Sequence, residues 1–494
     1  MTAARENALW AQRRAGVLLP VRSLPDGPGN GDLGPQAARF VDFSVSCGWS
    51  VWQVLPVGPP DASGSPYLAK SSCAGDPELI GLEPLVELGW IDGFRSGITD
   101  PVQARAHRRE RLQAAYAGFL RQADPDWMGR LSRFCAECPW LDDFALFSVI
   151  DVLQGGASWV SWPQPLRDRE PTALDAIRQD QADGIDQIRF EQFLFATQWQ
   201  ALREHARRQS LFLLGDLPMF VAHHSVDVWK NRRLFRLDDA GQPRVVAGVP
   251  PDYFSTDGQR WGNPLYDWDE IAAENYAWWI DRVGVELTRF DALRLDHFRG
   301  LEATWEIPAQ SKTARDGHWH EVPGQALLEA LARAYGPLPL VAEDLGVITK
   351  PVVALRDRFG LPGMRVLQFA FDGTQDNPHL PHHHVPNAVV YTGTHDNPPS
   401  EAWGLTLDPQ TRTRVREYCG REHESMAWSL VLAALASVAQ LAVIPLQDWL
   451  GLGEGSRINT PGTESGNWRW RFSWDQIPSD LPARSSHWVR VFGR

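Results

Sequence analysis

The chain has 494 residues, 43% of them hydrophobic and 22% charged, with a net charge of −13; this suits an ordinary globular protein and gives no electrostatic footprint for nucleic acid or an anionic membrane. No stretch approaches the roughly 20 uninterrupted apolar residues that a membrane-spanning helix needs, and five cysteines in so long a chain make no disulfide framework. The N-terminus, MTAARENALWAQRRAGVLLP, lacks the basic-then-apolar pattern of a secretory signal, so a cytoplasmic location is expected.

Eight short apolar runs of strand length follow one another, each closing in a polar or Gly/Pro-rich loop. They cover 15–24, 50–57, 211–221, 292–298, 338–346, 364–371, 388–396 and 441–450. Helical period lies between them. Ala37, Phe40, Val41, Ser44 and Val45 form an apolar stripe before the second run, and Tyr276, Trp279, Ile280, Val283 and Leu287 form one before the fourth. Leu327, Leu328, Leu331 and Tyr335 precede the fifth run, and MAWSLVLAALASVAQ precedes the eighth. Near-continuous apolar strands alternating with amphipathic helices predict an α/β protein, a closed (β/α)₈ TIM barrel spanning 1–494.

A bare barrel takes about 250 residues, so much of the chain is inserted material. The interval 60–190, after the second strand, is expected to be a mainly helical insertion. A second insertion, 222–270, follows the third strand and is rich in Pro, Gly, Trp and Asp. The segment 451–494 is expected to lie as a C-terminal loop and tail over the barrel mouth.

Two motifs point elsewhere and lack their supporting context. GNGDLG (29–34) matches the dinucleotide-binding glycine pattern. However, Pro25, Asp26, Gly27 and Pro28 separate it from the run, and the next strand ends in Leu55, Pro56 and Val57 rather than in an acid. These glycines read better as a barrel-mouth loop that lets backbone approach a ligand. CAEC (135–138) has redox or half-zinc spacing but no second pair, and fits two small residues in a helix. The 23 tryptophans, many beside Pro, Gly, Asn or Asp, hint at sugar stacking, although core packing accounts for most of them.

Chemistry in such barrels sits at the C-terminal ends of the strands. Those ends carry Asp216, then Arg294 and Asp296, then Glu343 and Asp344, then His395 and Asp396. No cysteine or Ser–His pair joins them, and the histidines lack zinc-protease spacing, so no metal is indicated. Two opposed carboxyl groups are what glycoside-bond cleavage needs, and a third can stabilise the oxocarbenium-like charge. Arg294 lies two residues from Asp296, on the same face of an extended chain, and favours its ionised form. Glu343 ends an apolar run and is crowded by acids, which predicts a raised pKa suited to a proton donor. Structural salt bridges are the alternative reading of both.

With these residues in view, the chain resembles the 4-α-glucanotransferases called amylomaltase or disproportionating enzyme, relatives of the α-amylases. The motifs that carry the resemblance include GDLG (31–34), SPY (65–67), AGDPELI (74–80), GDLPMFVA (215–222) and GVPPDYFS (248–255). WGNPLYDW (261–268), RLDHFRG (294–300), AEDLG (342–346), VLQFAFDG (366–373), THDN (394–397) and RINTPGTESGNWRWR (457–471) follow in order. The resemblance implies a retaining mechanism with Asp296 as nucleophile, Glu343 as acid/base and Asp396 as transition-state stabiliser. It implies that Arg294 and His395 bond the sugar at the cleavage point. It further implies that Tyr67, Asp216, Asp252, Tyr253, Phe254, Trp261, Asp372 and Asn459 line a glucan groove. No cofactor or metal is implied. The implied partners are maltooligosaccharides and starch or glycogen-type α-glucan.

His224 stands where the family usually has Asp, and Leu68 where Gln is common. PHHH (381–384) reads as a loop with surface histidines. Loops 249–254 and 451–466 are candidates to close over the groove and keep water out. A hydrolase on the same scaffold is the nearest rival, followed by a catalytically dead glucan-binding protein and a nicotinamide-dependent oxidoreductase.

Overall fold

The computed structural model describes residues 8–251, 255–421, 423–463 and 465–494. Eight parallel strands close into a barrel: β1 (Arg14–Leu18), β2 (Val51–Gln53), β3 (Phe212–Leu217), β4 (Ala292–Leu295), β5 (Leu340–Ala342), β6 (Gly363–Val366), β7 (Ala388–Tyr391) and β8 (Leu441–Pro445). Strand β8 pairs back onto β1, with Arg14 opposite Leu441. Each predicted run contains most or all of one strand, and each ladder stops well before its run does. The rest of each run turns into the loops at the barrel mouth.

Side-chain alternation sorts the strand residues into two buried sets. Leu18, Val51, Leu214, Ala292, Val341, Val389, Tyr391 and Val443 face into the barrel. Val17, Trp52, Leu213, Leu293, Ala342, Val390 and Ala442 face the surrounding helices. The inward set fixes what comes next along each chain. Two residues beyond Leu214 is Asp216, two beyond Ala292 is Arg294 and two beyond Val341 is Glu343, so the same alternation carries them toward the barrel axis at its C-terminal end.

The helices bury the predicted stripes. Helix Pro35–Ser46 buries Ala37, Phe40, Val41 and Ser44. Helix Ala277–Arg289 buries Trp279 and Val283, and helix Gly324–Tyr335 buries Leu327, Leu328 and Leu331. The interval 60–190 holds several helices, among them Pro101–Gln122, Pro125–Glu137 and Leu141–Leu153. Asp100 caps the first of these by accepting from Gln103 N at 2.8 Å, with Pro101 at the first helical position. Helix Ala182–Arg208 leads back to the barrel, where Trp199 Nε1 donates to Arg289 O at 3.0 Å.

A second sheet of four antiparallel strands was not legible in the sequence. It is built from Val245–Val249, Gln259–Pro264, Ala303–Pro308 and His318–Glu321. Half of it therefore comes from beyond the 222–270 interval, from the chain between β4 and β5. Gly248 sits in its first strand, and Gly262, at φ 86°, sits in its second, breaking the apolar pattern that marks a strand. The Gly-rich loop after β1 also departs from expectation. A Cβ on Gly29, Gly31 or Gly34 would lie within 3.0 Å of the chain's own atoms, so these glycines serve close packing rather than ligand approach. Among the described residues no helix is long and apolar enough to cross a membrane.

Candidate active site

Asp216 and Arg294 are direct partners across the β3–β4 ladder. Arg294 Nη1 donates to both oxygens of Asp216, at 2.8 and 2.7 Å, and Arg294 Nη2 lies 2.8 Å from Asp296 Oδ1. Burial works against this cation, but the two carboxylates outweigh it and hold the guanidinium well above its usual range. The Asp296 side chain is 29% exposed, whereas that of Asp216 is 0% exposed. Asp296 is therefore accessible from the barrel mouth. Asp216, expected along the groove, instead lies under Arg294 and anchors it.

Glu343, which follows the neighbouring strand β5, has a different environment. Its carboxyl accepts from two backbone N–H groups, Oε2 from His297 at 2.7 Å and Oε1 from Leu345 at 2.9 Å. Burial pushes its pKa up to about 8; the charge of Asp296 adds to this, while Arg294 and the two N–H groups oppose it. The expected crowding by acids thus comes from Asp296 and not from the adjacent Asp344. Asp344 turns away to pair with Arg356 at 2.5 Å and to accept from Met364 N at 2.6 Å.

His297 reaches Glu343 because its backbone is left-handed, with φ 51°. Its ring packs edge-on against Trp261, with centroids 4.9 Å apart, and burial pulls its pKa down to about 4, so the imidazole is neutral. Trp261 is thus placed beside the Asp296–His297 turn.

The third carboxylate, Asp396, follows β7 in the THDN turn. Its side chain is 45% exposed and lies 3.3 Å from His395 Nε2. Asn459 Nδ2 donates to Asp396 Oδ1 at 2.6 Å, and Asn459 N donates to His395 O at 3.1 Å. Asn459, expected to line the groove, grips the carboxylate instead. Tyr67 links the two sides of the site. Its hydroxyl donates to Asp216 Oδ2 at 2.7 Å and lies 3.0 Å from His395 Nε2, while its ring stacks on that imidazole at 5.3 Å. A hydroxyl has one hydrogen, and here Asp216 takes it, so His395 Nε2 carries the proton between them.

Three other expected residues, Asp252, Tyr253 and Phe254, lie outside the described residues. Asp372 is exposed, and its carboxylate accepts from Thr374 N at 2.8 Å within its own turn. Of the predicted surface histidines, His384 is buried, between Ser437 Oγ and His379 O.

The structure adds His297, Arg457 and Trp468, whose ring lies 5.9 Å from Tyr67 and 6.0 Å from His395. All three sit inside the motifs RLDHFRG and RINTPGTESGNWRWR. The left-handed backbone that places His297 and Trp468 has no signature in residue types such as these.

Comparison with known proteins shows the family. The family described as 4-alpha-glucanotransferase (Glyco_hydro_77) matches residues 19–476. The 4-alpha-glucanotransferase of Thermus thermophilus is 45% identical over 482 residues, covering 95% of this chain and 96% of its own. The chloroplastic/amyloplastic 4-alpha-glucanotransferase of Arabidopsis thaliana is 44% identical over 500 residues, covering 98% of this chain and 86% of its own. Among solved structures, the amylomaltase from Streptococcus agalactiae in complex with acarbose superposes with a TM-score of 0.94 at 34% identity, covering 98% of this chain and 100% of its own. A family match over nearly the whole length, on a barrel whose mouth gathers three carboxylates, leaves one conclusion: this chain belongs to the 4-alpha-glucanotransferase family.

Proposed function

We propose that this 4-alpha-glucanotransferase works by double displacement, with Asp296 as nucleophile and Glu343 as acid/base. The observation that carries the proposal is the opposed environment of the two carboxyl groups. Arg294 pairs with a partly exposed Asp296 at 2.8 Å, while burial keeps Glu343 protonated up to about pH 8.

In the first step, an Asp296 oxygen attacks the anomeric carbon. The glycosidic C–O bond breaks, and its electron pair leaves with the oxygen, which takes the proton of Glu343. This leaves a glycosyl ester on Asp296 and a free donor fragment. In the second step, the 4-hydroxyl of a maltooligosaccharide or glucose gives its proton to the Glu343 carboxylate and attacks the same carbon, releasing Asp296. Inversion twice gives net retention.

Asp396 stabilises the positive charge that develops at the anomeric carbon in both steps. Arg294 and His395 orient the sugar at the cleavage point, and Tyr67, Trp261 and Trp468 supply aromatic surface around it. The donors are α-1,4-glucans, from maltooligosaccharides to starch or glycogen-type chains, acting in the cytoplasm. Transfer prevails over hydrolysis when the loops 249–254 and 451–466 exclude water from the ester. The test is incubation with maltotriose while product sizes and total reducing ends are followed. Glucose with longer oligosaccharides at constant reducing ends is the expected result. Rising reducing ends with only shorter products would make it a hydrolase.

A further inference from the structure

We infer that Arg457 is a positioning residue that holds the third carboxylate, Asp396, in register with the other two. The inference rests on the reading of Asp396 as the charge-stabilising group.

Asp396 has a placement problem that the barrel does not solve. Its strand, β7, ends at Tyr391, so no ladder bond fixes residues 392–396. Thr394 N donates to Asn397 Oδ1 at 2.9 Å within the turn, Gln368 N holds Thr392 O at 3.1 Å and Tyr67 meets His395, but none of these bonds reaches the Asp396 carbonyl or carboxylate. The tie comes from a segment 61 residues further along the chain.

Arg457 Nη2 donates to the backbone oxygen of Asp396 at 2.6 Å, and Arg457 Nε donates to the backbone oxygen of Asn459 at 2.7 Å. Asn459 then closes the loop through its own bonds to Asp396 Oδ1 and His395 O. One planar guanidinium edge thus fixes both the main chain of Asp396 and the residue that orients its carboxylate. An ammonium has no such rigid fork.

The clamp is itself anchored. Ile458, between the two gripping residues, is buried in the inward-facing barrel cluster. Its carbonyl accepts from Trp468 N at 2.7 Å, and Trp468 packs on Tyr67 and His395. Losing Arg457 therefore frees the Asp396 main chain relative to Asp296 while the barrel below stays intact. Misplacement of a catalytic group by about 1 Å costs on the order of 100-fold in rate.

The experiment compares kcat and KM for maltotriose disproportionation in the parent, Arg457→Ala, Arg457→Lys and Asp396→Asn, together with their thermal midpoints. Arg457→Ala is expected to lower kcat on the order of 100-fold with KM within about twofold, because the loss falls on transition-state placement rather than on binding. Guanidinium ion, well below denaturing concentration, is expected to restore part of that rate, and a purely structural role predicts no such rescue. Arg457→Lys is expected to fall between parent and Arg457→Ala, and it carries the test by the same split should the alanine variant not fold. A parent-like kcat in the Arg457 variants beside an inactive Asp396→Asn overturns the clamp alone. A parent-like kcat in Asp396→Asn overturns the reading of Asp396 on which the clamp rests.

Discussion

The backbone N–H of His297 points at Glu343 Oε2 from 2.7 Å, so the residue after the proposed nucleophile positions the proposed acid. Asp296 and Glu343 are coupled through one left-handed turn as well as through their charges. The turn costs the His297 backbone of order 1–3 kcal/mol, and the rigid barrel around it sustains that strain.

The first prediction concerns pH. Burial, reinforced by Asp296, raises the Glu343 pKa to about 8, so the protonated form persists through neutral pH and is lost as pH rises through that value. The glycosylation rate should therefore hold from neutral pH to about 8 and fall above it. With glucosyl fluoride as donor, whose leaving group needs no proton, the same rate should lose that alkaline limb. Stopped-flow measurement of the first turnover separates the two donors.

Arg294 offers a test of stability. Its removal leaves the fully buried Asp216 carboxylate without a counter-charge, which costs about 3–5 kcal/mol. Arg294→Met should destabilise the fold by that amount in denaturant unfolding. Adding Asp216→Leu should recover much of the loss, because the orphaned charge goes too.

Tyr67→Phe keeps the ring that stacks on His395 and removes the hydroxyl between Asp216 and His395. Leaving Asp216 and His395 each short of a partner should cost about 1–3 kcal/mol in unfolding, and kcat/KM for maltotriose should fall roughly tenfold as the imidazole loses its orientation. An unchanged kcat/KM would show that the Tyr67 hydroxyl does not orient His395.

His224, one of the two positions expected to depart from the family pattern, holds two elements together. Its Nδ1 accepts from Trp159 N at 3.1 Å, so its Nε2 carries the hydrogen that Asp151 accepts at 2.9 Å. Lys70 Nζ pairs with the other Asp151 oxygen at 2.6 Å. His224→Ala leaves a backbone N–H and a carboxylate each short of a partner and should cost about 1–3 kcal/mol in unfolding.

The barrel was legible because its strands are short apolar runs separated by helical period, and the inward alternation that sets Leu214, Ala292 and Val341 also sets the polar residue two positions on. The second sheet was not, since Gly248 and Gly262 interrupt its strands and its central pair joins segments on either side of β4. Within the site, residues that a strand end delivers, such as Arg294 and Glu343, could be found by position. Asn459 was found, but its hold on Asp396 was not, because that contact depends on how a Gly-rich loop returns across the barrel. Arg457 and Trp468 share that loop and that reason. Asp216 was found with the wrong surroundings, as alternation gives a side chain's face but not the depth of its burial.

The central claim is that a sugar becomes bonded to Asp296 and that Glu343 is needed to release it. The most direct measurement treats the Glu343→Gln variant with glucosyl fluoride, quenches it in acid and maps the digested protein by mass spectrometry. Without the base, an ester formed with this activated donor should accumulate, and a glucosyl adduct on the peptide containing Asp296 is the predicted result. No adduct, or one on a different carboxylate, would contradict the account.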